Sequence, residues 1–275
     1  MLKIIDKLIT ELKIRGFSGA TIKAYVIHNK KFLEFIRKDP EGITEDDIKS
    51  YVAYLISEKN LKPASVNLTL SSLKFMYENI LKKKIFADIK PPKIEKKLPT
   101  VLAKYEVKKL IDAVKNQKHR LLIQFLYSSG LRVSECVNMK VNDLDLKEKM
   151  GRVISGKGRK DRHIILSNKL IGVLNRYLKN RKEKSEYVFS SSHGDHISVR
   201  MAQKVVNKAA KMAGIKRRVF CHALRSSFAT HLLEAGVDIR VIQVLLGHSS
   251  ISTTEKYVNV SNEQLKRVKS PFDTL

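Results

Sequence analysis

Gly151–Ser167 reads GRVISGKGRKDRHIILS, and the fold class turns on what its three glycines are for. The first seven residues fit GxxxxGK, the opening of a phosphate-binding P-loop, which would place the chain among α/β nucleotide-binding proteins. A P-loop needs a strand before its first glycine, a helix directly after its lysine, and a Ser or Thr beside that lysine for magnesium. Here Gly158 stands where the hydroxyl should be. The residues that follow it, RKDRHIIL, branch and alternate as a strand does, and so does VIS before it. The stretch is therefore read as a β-hairpin with a basic tip, and Lys157 as a cation carried on that tip. A solvated turn lysine is the plainer alternative for Lys157. No nucleotide is expected.

Outward from the hairpin, helical patterns dominate. In residues 1–86 four amphipathic stretches run from about 2 to 15, 18 to 37, 44 to 59 and 63 to 82. Gly16 separates the first two, Thr44 with Asp47 opens the third as a capping pair, and Pro63 opens the fourth. Asp88–Thr100, DIKPPKIEKKLPT, holds three of the six prolines and a lysine cluster, which reads as an extended linker. The domain division expected is a helical domain at 1–87, a linker at 88–100 and a second domain at 101–275. In the latter, helices are expected at about 104–116, 119–129 (stopped by Gly130), 168–182 and 198–213, with more from 222 onward and a short strand at 187–189. The fold class is mainly α with a small antiparallel sheet (α+β).

The charge narrows the partners. Fifty-four Lys and Arg stand against 27 Asp and Glu, a formal net charge of +27. Divided at Pro99, the two parts carry +8 and +19. Such an excess points to a polyanion such as DNA; a thermophile surface would balance its lysines with glutamates. There is no signal-peptide pattern and no apolar run near 18 residues, so a cytoplasmic protein without a membrane partner is expected, nucleoid-associated if its polyanion is DNA. Cys136 and Cys221 are too few for a disulfide framework and wrongly spaced for zinc, and whether they pair is left open. HGDH at 193–196 lacks both helical spacing and a fourth ligand, so no metal site is assigned.

Three polar groups then fall at element ends. Arg132 follows the Gly130 stop and opens a helix; His222 and Arg225, three apart, share one helix face; His248 lies just past a helix begun at Asp238 and stopped at Gly247. Ser252 and Glu255 read as a capping box that puts Tyr257 in the early turns of the next helix. Lys216, Arg217 and Arg218, just before the HxxR helix, form a candidate phosphate-contact patch, with an unspecific basic surface as the alternative.

In order and spacing, SGLRVSE (129–135), GKGRKDR (156–162), HALRSSFATHLL (222–233), LGH (246–248) and TTEKY (253–257) resemble the motifs of the tyrosine recombinases, most closely the Xer-type recombinases that resolve chromosome dimers. The resemblance spans nearly the whole chain. It implies a four-helix SAM-like DNA clamp in front of a catalytic domain. Its catalytic set would be Arg132, Lys157, His222, Arg225, His248 and the nucleophile Tyr257, with Glu135 supporting Arg132. For Glu135 an ordinary surface carboxylate is the competing reading. Two positions depart from many members: Ser226 follows the second arginine, and Asn259 stands two past the tyrosine.

The chemistry suits those residue types. Two guanidiniums keep their charge at any working pH and can each give paired hydrogen bonds to the non-bridging oxygens of a phosphodiester. The resemblance implies a 3′-phosphotyrosyl intermediate, no cofactor or metal, and a homotetramer on paired specific sites in double-stranded DNA. It also implies that the tail after Tyr257 docks on a neighbouring subunit. Arg159 and Lys160 on the hairpin tip are further candidates for DNA contact. A mobile-element integrase, a type IB topoisomerase-like enzyme and a non-catalytic DNA-binding protein are the alternatives.

Overall fold

The computed structural model describes residues 2–95, 98–154, 161–181, 185–192 and 194–257. The chain divides into two compact units, Met1–Lys96 and Lys97–Leu275.

The first unit contains α1 (Leu2–Ile14), α2 (Gly19–Ile36), α3 (Glu45–Ser57) and α4 (Pro63–Lys74). Local chemistry sets their starts. The Ser18 hydroxyl accepts from the Thr21 amide at 3.2 Å. Thr44 and Asp47 cap each other, the Asp47 carboxylate accepting from the Thr44 amide at 3.0 Å. The fourth helix differs from expectation, because after Lys74 the backbone widens into a π-helical turn over Phe75–Ile80. Phe75, Met76 and Tyr77 are all buried, more consecutive residues than a 3.6-residue stripe turns inward, and the wider turn accommodates them. They close a core built on Leu8, Leu12, Phe32, Leu33, Ile48 and Val66.

The second unit opens with α5 (Lys104–Asp112), α6 (Gln117–Ser129) and the short α7 (Val133–Val137). Then come β1 (Leu144–Asp145), β2 (Met150–Val153) and β3 (Arg162–Ile165), antiparallel in the order β1-β2-β3. The hairpin is confirmed by its register, Gly151 opposite Ile164 and Val153 opposite Arg162. Gly151, Val153 and Ile164 point inward. After the sheet come α8 (Asn168–Asn180), α9 (Val199–Met212), α10 (Cys221–Glu234), α11 (Ile239–Leu246) and the one-turn α12 (Ser252–Glu255). The fold is thus mainly α with one small antiparallel sheet.

Two local expectations are corrected. No strand forms at 187–189; Tyr187 makes a single bridge to Lys140, and Val188 and Phe189 are core residues of an otherwise irregular segment. Ser252 does not cap α12 either. Ile251, already in helical conformation, occupies the cap position, and the Ser252 hydroxyl pairs instead with that of Ser250 at 2.8 Å.

α10 is the central helix, buried continuously from Ala223 to Thr230. The segment after the unit boundary is tied to it, since the Leu102 amide donates to the Ser227 hydroxyl at 2.8 Å. Cys136 and Cys221 are buried free thiols. No described helix is long and apolar enough to cross a membrane.

Candidate active site

Gly130 ends α6 with φ of +59°, in the left-handed region where a side chain is strained. That turn delivers Arg132 to the start of α7, where its amide donates to Glu135 Oε2 at 2.7 Å and its guanidinium to Glu135 Oε1 at 2.8 Å. Glu135 is therefore buried and not a surface carboxylate. A second arginine, Arg162 of β3, grips the same carboxylate with both terminal nitrogens at 2.9 and 2.7 Å. Burial works against the Glu135 charge, but the hydrogen bonds and charge of Arg162, then those of Arg132, overcome it and hold the carboxyl at about 2.

Arg225 lies deep on α10, with its side chain only 1% exposed. It donates to the Gly130 carbonyl at 2.8 Å and the Leu246 carbonyl at 2.6 Å, and stands 3.8 Å from Glu135. Burial, then the charge of Arg132, lowers its pKa to about 10, so it remains a cation at neutral pH. The same Nη2 faces His248 Nε2 at 3.1 Å. A guanidinium has no acceptor, so Nε2 must accept, and the proton of the ring sits on Nδ1, 2.9 Å from the Thr254 hydroxyl. His248 is thus a neutral ring, its pKa lowered to about 4 by burial and then by Arg225 and Arg132.

Tyr257 lies two residues past α12 and is 4% exposed. Its ring stacks on His248, centroids 6.3 Å apart and planes inclined by 20°, and it packs among Phe228, Leu233, Ile242 and Leu246. His222, in the first turn of α10, is exposed at the rim of this group. Partial burial, then Arg225 and Arg132, lowers its pKa as well.

Arg225, His248 and Tyr257 are thus contiguous, and Glu135 links Arg132 to Arg225. Lys157, Arg159, Lys160 and the tail beyond Tyr257 lie outside the described residues. Lys216, Arg217 and Arg218 of the basic patch are all exposed, and Arg217 also donates to the Val101 carbonyl at 3.0 Å and pairs with Glu106. Arg162 was not singled out by sequence reasoning. Its signal is strand alternation: Arg162 shares the inward face with the fully buried Ile164, and an inward arginine needs a carboxylate.

The arrangement gathers fixed cations beside neutral imidazoles and a phenol, which suits attack on a phosphodiester. Comparisons agree. The Phage integrase family model matches residues 100–264, and the model for the phage integrase N-terminal SAM-like domain matches residues 4–86. Tyrosine recombinase XerA of Pyrococcus horikoshii is 38% identical over 270 residues, covering 96% of this chain and 91% of its own. Putative integrase/recombinase y4qK of Sinorhizobium fredii is 34% identical over 278 residues, covering 100% and 90%. The solved XerH recombinase bound to a palindromic difH substrate superposes with a TM-score of 0.74 over 92% of this chain and 80% of that one. At 24% identity this is a likeness of fold.

Proposed function

The chain belongs to the phage integrase family of tyrosine recombinases and is a site-specific DNA recombinase, and from that premise we propose how its residues divide the reaction. Tyr257 Oη attacks the scissile phosphorus, the bond to the 5′ oxygen breaks, and a 3′-phosphotyrosyl link to DNA forms. Arg132 and Arg225 neutralise the non-bridging oxygens as charge builds there. The tyrosine proton leaves to a base, a role assigned here to His222, and Lys157 protonates the departing 5′ oxygen. His248 gives a hydrogen bond to phosphate through Nε2 once that nitrogen has taken up a proton, which the incoming anion favours by offsetting the field of the arginines, and Glu135 orients Arg132. The covalent intermediate keeps the energy of the phosphodiester, so a 5′ hydroxyl of another strand reverses the step without a nucleotide.

The observation that carries this reading is the contiguity of Arg225, His248 and Tyr257, with Arg132 joined to them through Glu135. The partner proposed is double-stranded DNA with a specific site, gripped by the helical clamp at 1–87 and the catalytic domain at 101–275 across the linker at 88–100. Paired sites would assemble a homotetramer, the tail after Tyr257 docking on a neighbour. Chromosome-dimer resolution in the nucleoid is the role proposed, on the Xer resemblance. A nicked suicide substrate, in which the short 5′ fragment diffuses away, traps the intermediate. Wild type should accumulate a covalent protein–DNA adduct, and an adduct that persists in Tyr257→Phe would refute the assigned nucleophile.

A further inference from the structure

The Arg162 side chain is 7% exposed, and each of its three nitrogens is engaged: both terminal nitrogens with Glu135, and Nε with the Leu245 carbonyl at 2.9 Å. Its partners are the carboxylate that holds Arg132 and the end of α11, and it is through these groups that it can act on the site. The acceptor count on Glu135 shows how. Oε1 takes Arg162 Nη1 and Arg132 Nη1, and Oε2 takes Arg162 Nη2 and the Arg132 amide. A carboxylate has about four such positions, and all are filled. Arg132 is left singly bonded to Glu135 through its side chain, with a weak 3.4 Å contact to the Gly247 carbonyl, and remains partly exposed.

The same arginine braces α11. The consecutive carbonyls of Leu245, Leu246 and Gly247 receive Arg162, Arg225 and Arg132 respectively, at the helix end that carries partial negative charge. Gly247 permits this, because a Cβ there would lie 2.7 Å from Arg162 Cδ. His248 is the next residue.

We propose that Arg162 is a positioning residue for cleavage: it saturates Glu135 so that this carboxylate cannot capture Arg132 in a bidentate pair, leaving the Arg132 fork free for the scissile phosphate. The proposal rests on the recombinase reading above. Without Arg162, two acceptor positions open on a buried carboxylate beside Arg132, and a bidentate pair is the strongest bond available to both.

The test is single-turnover cleavage by the full chain at saturating DNA on a nicked suicide substrate carrying its recombination site. Arg162→Met is expected to slow cleavage about 100-fold, the scale of losing one transition-state donor, with DNA affinity within about threefold because no phosphate contact is lost. Adding Glu135→Gln should restore at least about tenfold of that rate, since the amide oxygen still caps α7 but carries no charge with which to hold Arg132. A purely structural Arg162 would recover cleavage only as far as the melting transition recovers, so rates are compared per folded protein, where the tenfold gain is expected to remain. Should Arg162→Met fail to fold, judged by its melting transition, the comparison is made in Arg162→Lys, where the same recovery is expected. Unchanged cleavage in the single variant, or a double variant no faster than the single one, overturns the proposal. Failure of wild type itself to form an adduct would overturn the recombinase assignment of these residues instead.

Discussion

Gly130→Ala should cost far more than removal of a backbone freedom suggests. Gly130 sits at φ of +59°, where an alanine pays about 1–2 kcal/mol. Its Cβ would stand 2.3 Å from Phe228 Cδ1, 2.6 Å from Cε1 and 3.1 Å from Leu246 Cδ2. Phe228 and Leu246 are buried against Tyr257, so relief means shifting a packed ring, an overpacking cost of about 1–3 kcal/mol. Together the loss is about 2–5 kcal/mol, or about 4–20 °C for a unit of this size at about 2–4 °C per kcal/mol. Gly172→Ala supplies the control, because it lies within α8 at ordinary helical φ with nothing within 4 Å of the added Cβ. It should gain about 0.5–1 kcal/mol from helix propensity. Both substitutions restrict the unfolded chain alike, so the difference isolates the folded-state strain. Calorimetry of the full chain reads both. A Gly130→Ala transition within 2 °C of wild type, or a shift of the same sign in both variants, would refute the strain and packing argument. Cleavage should fall too, since the displaced turn carries the carbonyl that holds Arg225 at 2.8 Å.

Arg225→Lys keeps the charge but not the fork that reaches Gly130, Leu246 and His248 together, so cleavage should drop at least about 100-fold while DNA affinity changes little; near-normal turnover in a suicide-substrate assay would contradict it. His248 titrates at about 4 in the folded chain against 6.5 ordinarily, so on acidification the unfolded state binds its proton first. Stability should therefore decline as pH falls from about 6.5 to about 4, and His248→Gln should flatten that part of a melting-temperature profile. Ser227→Ala leaves the buried Leu102 amide without its acceptor and should cost about 1–3 kcal/mol, measured by denaturant titration. Burial pushes the thiols of Cys136 and Cys221 up, the latter to about 11, so a thiol-specific dye should label the native chain far more slowly than the denatured one, where both react.

Much of the fold was legible because its signals are local. The Thr44–Asp47 cap, the Gly130 stop and the Asp238 to Gly247 limits of α11 each rest on a side chain or a backbone angle within a turn of the boundary. Misreadings arose where a neighbour outside the window decides. Ser252 and Glu255 have capping-box spacing, but Ile251 had already adopted helical angles and displaced the start. Val188 and Phe189 are apolar enough for a strand, yet only a single bridge reaches Tyr187, so they are core without being sheet. In the site, the ordered motifs picked out the arginines, histidines and tyrosine because chemistry restricts those residue types. The burial of Glu135 and the grip of Arg162 depend on partners 27 residues apart: strand alternation marks Arg162 as inward, but no local pattern names the carboxylate it meets.

The three carbonyls at the end of α11 have a consequence for how this sequence can drift. An acceptor on the main chain survives every point substitution, so a change of side chain at 245 or 246 does not delete the oxygens that Arg162 and Arg225 use, although at the buried Leu246 it still costs packing against Tyr257. Insertion or loss of one residue in α11 is another matter, because it rotates everything beyond it by about 100° and misaligns all three acceptors at once. The acceptors at this helix end are therefore insensitive to which side chains the helix carries and sensitive to its length.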